Sequence, residues 1–175
     1  CAGSRDPESA MPYCSKVCCM YTAKQARLLR RQHPQSQAYV FYIDIRSTGK
    51  GAEEFVQQGM QEEDILYLRG KVSRVFQEGK KTVVWGVDTL SGRAIEIEAD
   101  LVVLAAAMTA QPDAADLAQR LRVGIDAYGF FSEAHPKLRP VESLTAGIYL
   151  AGAAQGPKDI PETLVQAGAA GAKVL

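Results

Sequence analysis

The segment Ala38–Ile45 (AYVFYIDI) is apolar on both faces, β-branched and aromatic, and of strand length, which suits an interior parallel strand. Ser47–Gly51 (STGKG) turns the chain into a helix predicted from Ala52 to about Met60. Strand, short loop and helix in that order is an α/β signature. Ahead of it, Cys14 to about Arg31 has neither Gly nor Pro and gathers good helix formers from Ala23 to Leu29. That predicts another helix, ended by His33–Pro34. Its basic run, Arg27, Arg30 and Arg31, reads as a solvated face, and the second reading is a docking patch for a partner protein of the same complex.

Further along, Ile65–Arg69 and Lys71–Gln77 read as short strands, with a turn at Gly79–Lys80. Thr82–Asp88 and Ala94–Glu98 flank a hairpin tip at Ser91–Gly92, so the middle of the chain is predicted to be a β-meander. Asp100–Ala106 (DLVVLAA) is continuously apolar and predicts one more buried strand. Pro112 to Arg122 is amphipathic at helical spacing, with Leu117 and Leu121 four apart. The last block runs through Tyr128–Phe131, a Pro-rich linker (HPKLRP) and a strand at Gly147–Ala151. A Gly- and Pro-containing loop, Gly152–Pro157, then leads to a final helix from about Pro161 to Lys173.

Composition narrows the function classes. The chain has 175 residues, 47% hydrophobic and 23% charged, as in an ordinary globular protein. Twenty basic residues balance twenty acidic ones, so no net positive charge drives nucleic-acid binding. The longest apolar run, Leu101–Met108, is far short of a bilayer span. No signal-peptide pattern is present, and a cytoplasmic location is expected. Cys1 stands first without an initiator Met, so the chain reads as a piece of a longer protein.

All four cysteines, Cys1, Cys14, Cys18 and Cys19, fall within the first 19 residues as C-x12-C-x3-C-C. A reduced intracellular setting argues against disulfides. Zinc prefers paired knuckles, for which the adjacent Cys18–Cys19 is awkward. An iron–sulfur cube accepts thiolates from four directions. On the predicted helix Cys14 and Cys18 share a face, Cys19 lies roughly 100° round, and Cys1 closes the cage from the preceding loop. The helix N-terminus would favour an anionic group there, helped by Lys16 and Lys24. Spacing leaves iron–sulfur, zinc and incidental thiols all open.

The segment ESLTAGIYLAGAAQGPKDIPETLVQAGAAGA carries the second signal. A strand ends at Gly152, and a helix starts with Asp159 and Glu162 spaced as a capping box and Pro161 in the first turn. Free N–H groups at such a start can bind an anionic or carbonyl-rich ligand, and a plain capped helix packed on a sheet is the competing reading. His33 and His135 each precede a proline and read as loop residues, while Trp85 and the tyrosines read as packing.

Together these blocks resemble the A subunit of heterodisulfide reductase, an FAD and iron–sulfur protein of methanogens and anaerobic bacteria. The stretches that carry the resemblance are CAGSRD, PYCSKVCCMYTAKQA, FYIDIRSTGKGAEEF, ILYLRGKV, ADLVVLAAA, GFFSEAHPKLRPV and GIYLAGAAQGPKDIPETLVQA. They span nearly the whole chain in the family's order. The resemblance implies a thioredoxin-reductase-like fold of two dinucleotide-binding domains. Residues 1–108 would be an iron–sulfur segment with the rest of the inserted nicotinamide-type domain, and 109–175 the C-terminal part of the FAD domain. It also implies a 4Fe–4S cluster on Cys1, Cys14, Cys18 and Cys19. Flavin contacts would fall on Gly152, Ala153, Lys158, Asp159, Ile160 and Thr163.

The implied function is an oxidoreductase segment relaying electrons between cluster and FAD. The implied partners are other heterodisulfide reductase subunits and ferredoxin or hydrogenase-type donors. Two departures stand out. Where the wider class ends the strand in Gly-Asp, this chain has Ala153, and no G-x-G-x-x-G fingerprint occurs anywhere. The alternatives are a nicotinamide-dependent disulfide oxidoreductase fragment and a zinc-stapled interaction module. The first lacks a C-x-x-C pair, and the second would show one zinc and no visible chromophore.

Overall fold

A computed structural model describes residues 1–175, which mix helices with small sheets in an α/β arrangement. The chain forms two compact units, one joining Cys1–Ala2 to Cys18–Ala106, the other joining Gly3–Val17 to Ala107–Leu175.

The first unit opens with α1 (Cys18–Gln32), followed by β1 (Tyr39–Tyr42), α2 (Ala52–Gln61) and β2 (Leu66–Arg69). β1 and β2 pair in parallel, Tyr39 opposite Leu66 and Tyr42 opposite Arg69, so α2 is the crossover of a β-α-β unit. The apolar run at 38–45 is therefore a parallel strand, but a short one with a single strand neighbour. Three strands follow as the predicted meander: β3 (Val72–Glu78), β4 (Lys81–Asp88) and β5 (Arg93–Ala99), antiparallel and in that order. β4 lies at the centre and buries Val83 and Val84. Two glycines let β4 approach the β-α-β unit. A Cβ at Gly86 would stand 2.7 Å from Phe41 Cε1, and one at Gly70 would stand 1.9 Å from the Val87 carbonyl oxygen. Only glycine allows backbone to come that near.

A polar cluster ties α1 to α2. Arg27, only 4% exposed, forks onto Glu63 through Nε (2.9 Å) and Nη2 (3.1 Å). Its Nη1 donates to the Phe55 carbonyl at 2.9 Å, and the guanidinium sits 4.1 Å from the Phe55 ring centroid. Arg31 Nε donates to the same carboxylate at 2.7 Å, and Arg30 Nε to the Glu63 carbonyl at 2.7 Å. Hydrogen bonding to Arg27 holds the Glu63 carboxyl below the usual range, with Arg31 adding to the effect against burial. The basic run is thus not the solvated face that its sequence suggests. Its arginines converge on one carboxylate and on the loop that carries it.

In the second unit, residues 3–17 wrap with the C-terminal part. The Tyr13 ring meets those of Tyr128 (5.0 Å) and Phe130 (5.8 Å) edge-on, and its hydroxyl donates to the Met108 carbonyl at 2.9 Å. Ala114 and Ala118 of α3 (Ala114–Leu121) join Val123, Phe130, Val141 and Leu150 in the core. The strand anticipated at 147–151 shrinks to a single bridge, Glu142 with Tyr149, and another single bridge joins Ile125 to Phe131. α4 (Ile160–Val174) closes the chain with no buried residue.

The run 101–106 departs most from expectation. It forms no strand; Leu101, Val103 and Leu104 are exposed, and only Ala106 bridges, to Ala2. A strand needs a neighbour for its backbone groups, and no other strand of this chain runs alongside it.

Candidate functional site

The cysteine segment folds differently from a continuous helix. α1 begins at Cys18, and residues 14–17 form a turn instead. Two features stop the helix extending back to Cys14. Lys16 adopts the left-handed region (φ 62°), and the fully buried Ser15 uses its Oγ to accept the Met108 N–H at 2.8 Å. Cys14 Sγ accepts the Lys16 N–H at 3.2 Å. The shared helical face predicted for Cys14 and Cys18 is therefore corrected. Cys18 and Cys19 are instead the first two residues of α1, where N–H groups lack helical partners.

Within the first unit, Cys1, Cys18 and Cys19 line one cavity of about 40 Å³. Cys14 belongs to the second unit. None of the four cysteines is in a disulfide. No group of three or more His, Cys, Asp or Glu side chains is arranged to hold a metal ion. The remaining wall of the cavity includes Thr22, Phe41, Tyr42, Asp44 and Tyr67. Cys18 is buried, and Cys19 is half-buried with its thiol directed at the Asp44 carbonyl, 3.8 Å away. A hydrogen bond with Cys18, then burial, pushes the Cys19 thiol far above the ordinary range, partly offset by the Arg46 N–H. Such a thiol is a weak nucleophile and must shed its proton to serve as a ligand. Sequence reasoning missed Tyr67. Its hydroxyl oxygen is buried without a hydrogen-bond partner, and burial followed by the nearby Cys19 raises its pKa.

The C-terminal residues gather at the start of α4. Gly152 is buried at φ 68° within a single 3-10 turn (Gly152–Ala154), and its N–H donates to Gln166 Oε1 at 2.6 Å. A Cβ there would meet Thr163 Cγ2 at 3.0 Å. Asp159 and Glu162 form the predicted capping box: Asp159 Oδ1 accepts the Glu162 N–H at 2.8 Å, and Glu162 reaches back to the Asp159 N–H. The Thr163 N–H and hydroxyl both donate to the Asp159 carbonyl, at 3.0 and 2.8 Å. Pro161 has no N–H to give. Most donors of the first turn are thus used within the chain. What the turn offers outward is side-chain surface: Ala153 and Ile160 are exposed, and Lys158 is half-buried. Lys16 of the same unit pairs with Glu162.

His33 is exposed at the end of α1, and His135 Nδ1 accepts the N–H groups of Lys137 and Leu138 at 3.2 Å each. Both are loop residues, as predicted.

No protein-family model matches the chain. Curated relatives match it from end to end. The chain is 46% identical over 178 residues to the A subunit of the H(2)/formate:CoB-CoM heterodisulfide,ferredoxin reductase of Methanococcus maripaludis, covering 100% of this chain and 27% of the relative. It is 46% identical over 176 residues to one of the A-type iron–sulfur subunits of the CoB–CoM heterodisulfide reductase of Methanopyrus kandleri, covering 99% and 27%. A protein of Archaeoglobus profundus, described as like the A subunit of heterodisulfide reductase, is 44% identical over 176 residues, covering 100% and 25%. The chain spans about a quarter of the length of these relatives, and over that span it belongs to the family of heterodisulfide reductase A subunits.

Proposed function

We propose that the chain is an electron-transfer segment of a heterodisulfide reductase A-type oxidoreductase, with a 4Fe–4S cluster on Cys1, Cys14, Cys18 and Cys19. The observation that carries this reading is the placing of three of those thiols on one cavity wall. It is supported by relatives whose own names include "iron-sulfur subunit". The donor set is purely thiol, which suits soft metal centres, and the buried orphan hydroxyl of Tyr67 on the same wall suits a sulfur-rich, electron-rich occupant. When bound, a cluster of this kind supplies one-electron transfer at a potential set by its surroundings.

The chain's own residues do the rest. The Cys18–Cys19 hydrogen bond must break and both thiols lose their protons before they can ligate. Cys18, being buried, keeps water from its side of the centre. The N-terminus of α1 favours the negative charge that the thiolates bring. In the second unit, Gly152, Ala153, Lys158, Asp159, Ile160 and Thr163 would form this chain's part of an FAD site. That assignment is supported by the exposed surface around the capped turn. It leaves the pyrophosphate grip to a fingerprint that this chain does not contain. The same proposal includes a thioredoxin-reductase-like fold divided near residue 108. Electron exchange would be with other subunits of such a complex and with ferredoxin or hydrogenase-type donors.

Anaerobic reconstitution with ferrous iron and sulfide tests the reading. About four irons and four acid-labile sulfides per chain are expected, and Cys18→Ser should retain much less of both. Full iron uptake by that variant would overturn the ligand set. One tightly held zinc, with no absorbance near ~400 nm where thiolate-bound iron clusters absorb, would overturn the redox role.

A further inference from the structure

Tyr67 is built into the wall of the thiol cavity in a way that packing alone does not explain. It lies in β2, its ring edge-on to that of Tyr42 at 6.0 Å, and the two rings line the cavity beside Cys1, Cys18 and Cys19. A phenylalanine would pack equally well. The hydroxyl instead ends in a place where its oxygen is buried and meets no hydrogen-bond partner. Leaving such a group unmet is costly, so it needs an acceptor. Only two other buried side-chain oxygens share this condition, Ser4 Oγ and Glu142 Oε2, and neither lines the cavity. The acceptors that the three cysteines would assemble there are sulfurs: thiolates and inorganic sulfide.

We infer that the Tyr67 hydroxyl donates a hydrogen bond to the sulfur-rich group held by these thiols, and thereby raises its reduction potential. This rests on the cluster reading above. The physics is one of charge. Reduction adds an electron to an already anionic centre, and a donor aimed at its sulfur stabilises the added charge more than the starting state. Removing the donor destabilises the reduced form selectively.

The test uses the whole chain reconstituted anaerobically with ferrous iron and sulfide, as wild type, Tyr67→Phe and Tyr42→Phe. Iron and sulfide content is measured first, then the midpoint potential by titration followed with electron paramagnetic resonance. The two tyrosine variants keep their rings, so both should load like wild type. Tyr67→Phe should lose about tenfold in the relative stability of the reduced form, which lowers the potential by about 59 mV for one electron. Tyr42→Phe should leave the potential unchanged. Normal loading with an unmoved potential in Tyr67→Phe would overturn the hydrogen bond while leaving the cluster reading intact. Equal shifts in both variants would overturn it as well, by pointing to general polarity. A wild-type chain that takes up no iron would overturn the cluster reading and this inference with it.

Discussion

Arg27→Ala is the substitution that asks most of the first unit. It removes both arms of the fork on Glu63, the donor to the Phe55 carbonyl and the cation over the Phe55 ring. Breaking a buried pair on one side costs about 3–5 kcal/mol, because the abandoned charge stays where water cannot reach it well. Here Arg31 still touches Glu63, though its own side chain is 57% exposed, which places the expected loss at the lower end, about 3 kcal/mol. With a urea dependence of about 2 kcal/mol/M, the midpoint should fall by about 1.5 M. Trp85 is the sole tryptophan and lies in β4, so its fluorescence follows the first unit alone. A companion cycle pairs Arg27→Met with Glu63→Gln and should give a coupling of at least about 1 kcal/mol. A midpoint shift below about 0.5 M, or additive effects in the cycle, would refute the view that this polar cluster holds α1 to its neighbours.

The same cluster sets an acid limb. The folded Glu63 carboxyl titrates below its unfolded value, so the unfolded chain takes the proton first. Its contribution is complete above the ordinary Glu pKa and fades as pH falls through the lower folded one, and urea midpoints of Glu63→Gln should lose that part of the slope. Gly70→Ala should destabilise the first unit by about 3 kcal/mol or more, since its methyl would run into the Val87 carbonyl and backbone cannot step aside cheaply; a Trp85 unfolding curve like that of wild type would contradict this. Asp159→Ala should cost about 1 kcal/mol by freeing the Glu162 N–H, read as faster amide exchange at Glu162 in the first turn of α4.

Much of this architecture is legible in the residues. Alternation of short β-rich runs with Gly79 and Ser91–Gly92 places the meander, and Asp159, Pro161 and Glu162 announce the start of α4 within a residue. What could not be read depends on partners distant in sequence. Nothing local in CSKVCC shows that Ser15 will spend its hydroxyl on Met108, which unseats the helix from its first four residues. Hydrophobicity at 101–104 suggests burial, yet burial requires a neighbour, and this chain brings none to Leu101, Val103 and Leu104. Arg27 reads as a surface residue until Glu63 arrives from across α2. Cys1, Cys18 and Cys19, spread over the first 19 residues, line one cavity. The tyrosine that shares their cavity carries no signal, because Tyr67 sits in a strand where an aromatic needs no special reason.

The length of α1 separates two tasks along one rod. Arg27 stands nine positions after Cys18, about 14 Å along the axis at 1.5 Å per residue. Loosening the arginine end would therefore act as a lever, changing how often the sulfur end swings open without altering what surrounds it when shut. With the proposed cluster on those cysteines, faults introduced there would surface in how fast iron enters or escapes, while the voltage of the loaded centre stayed put.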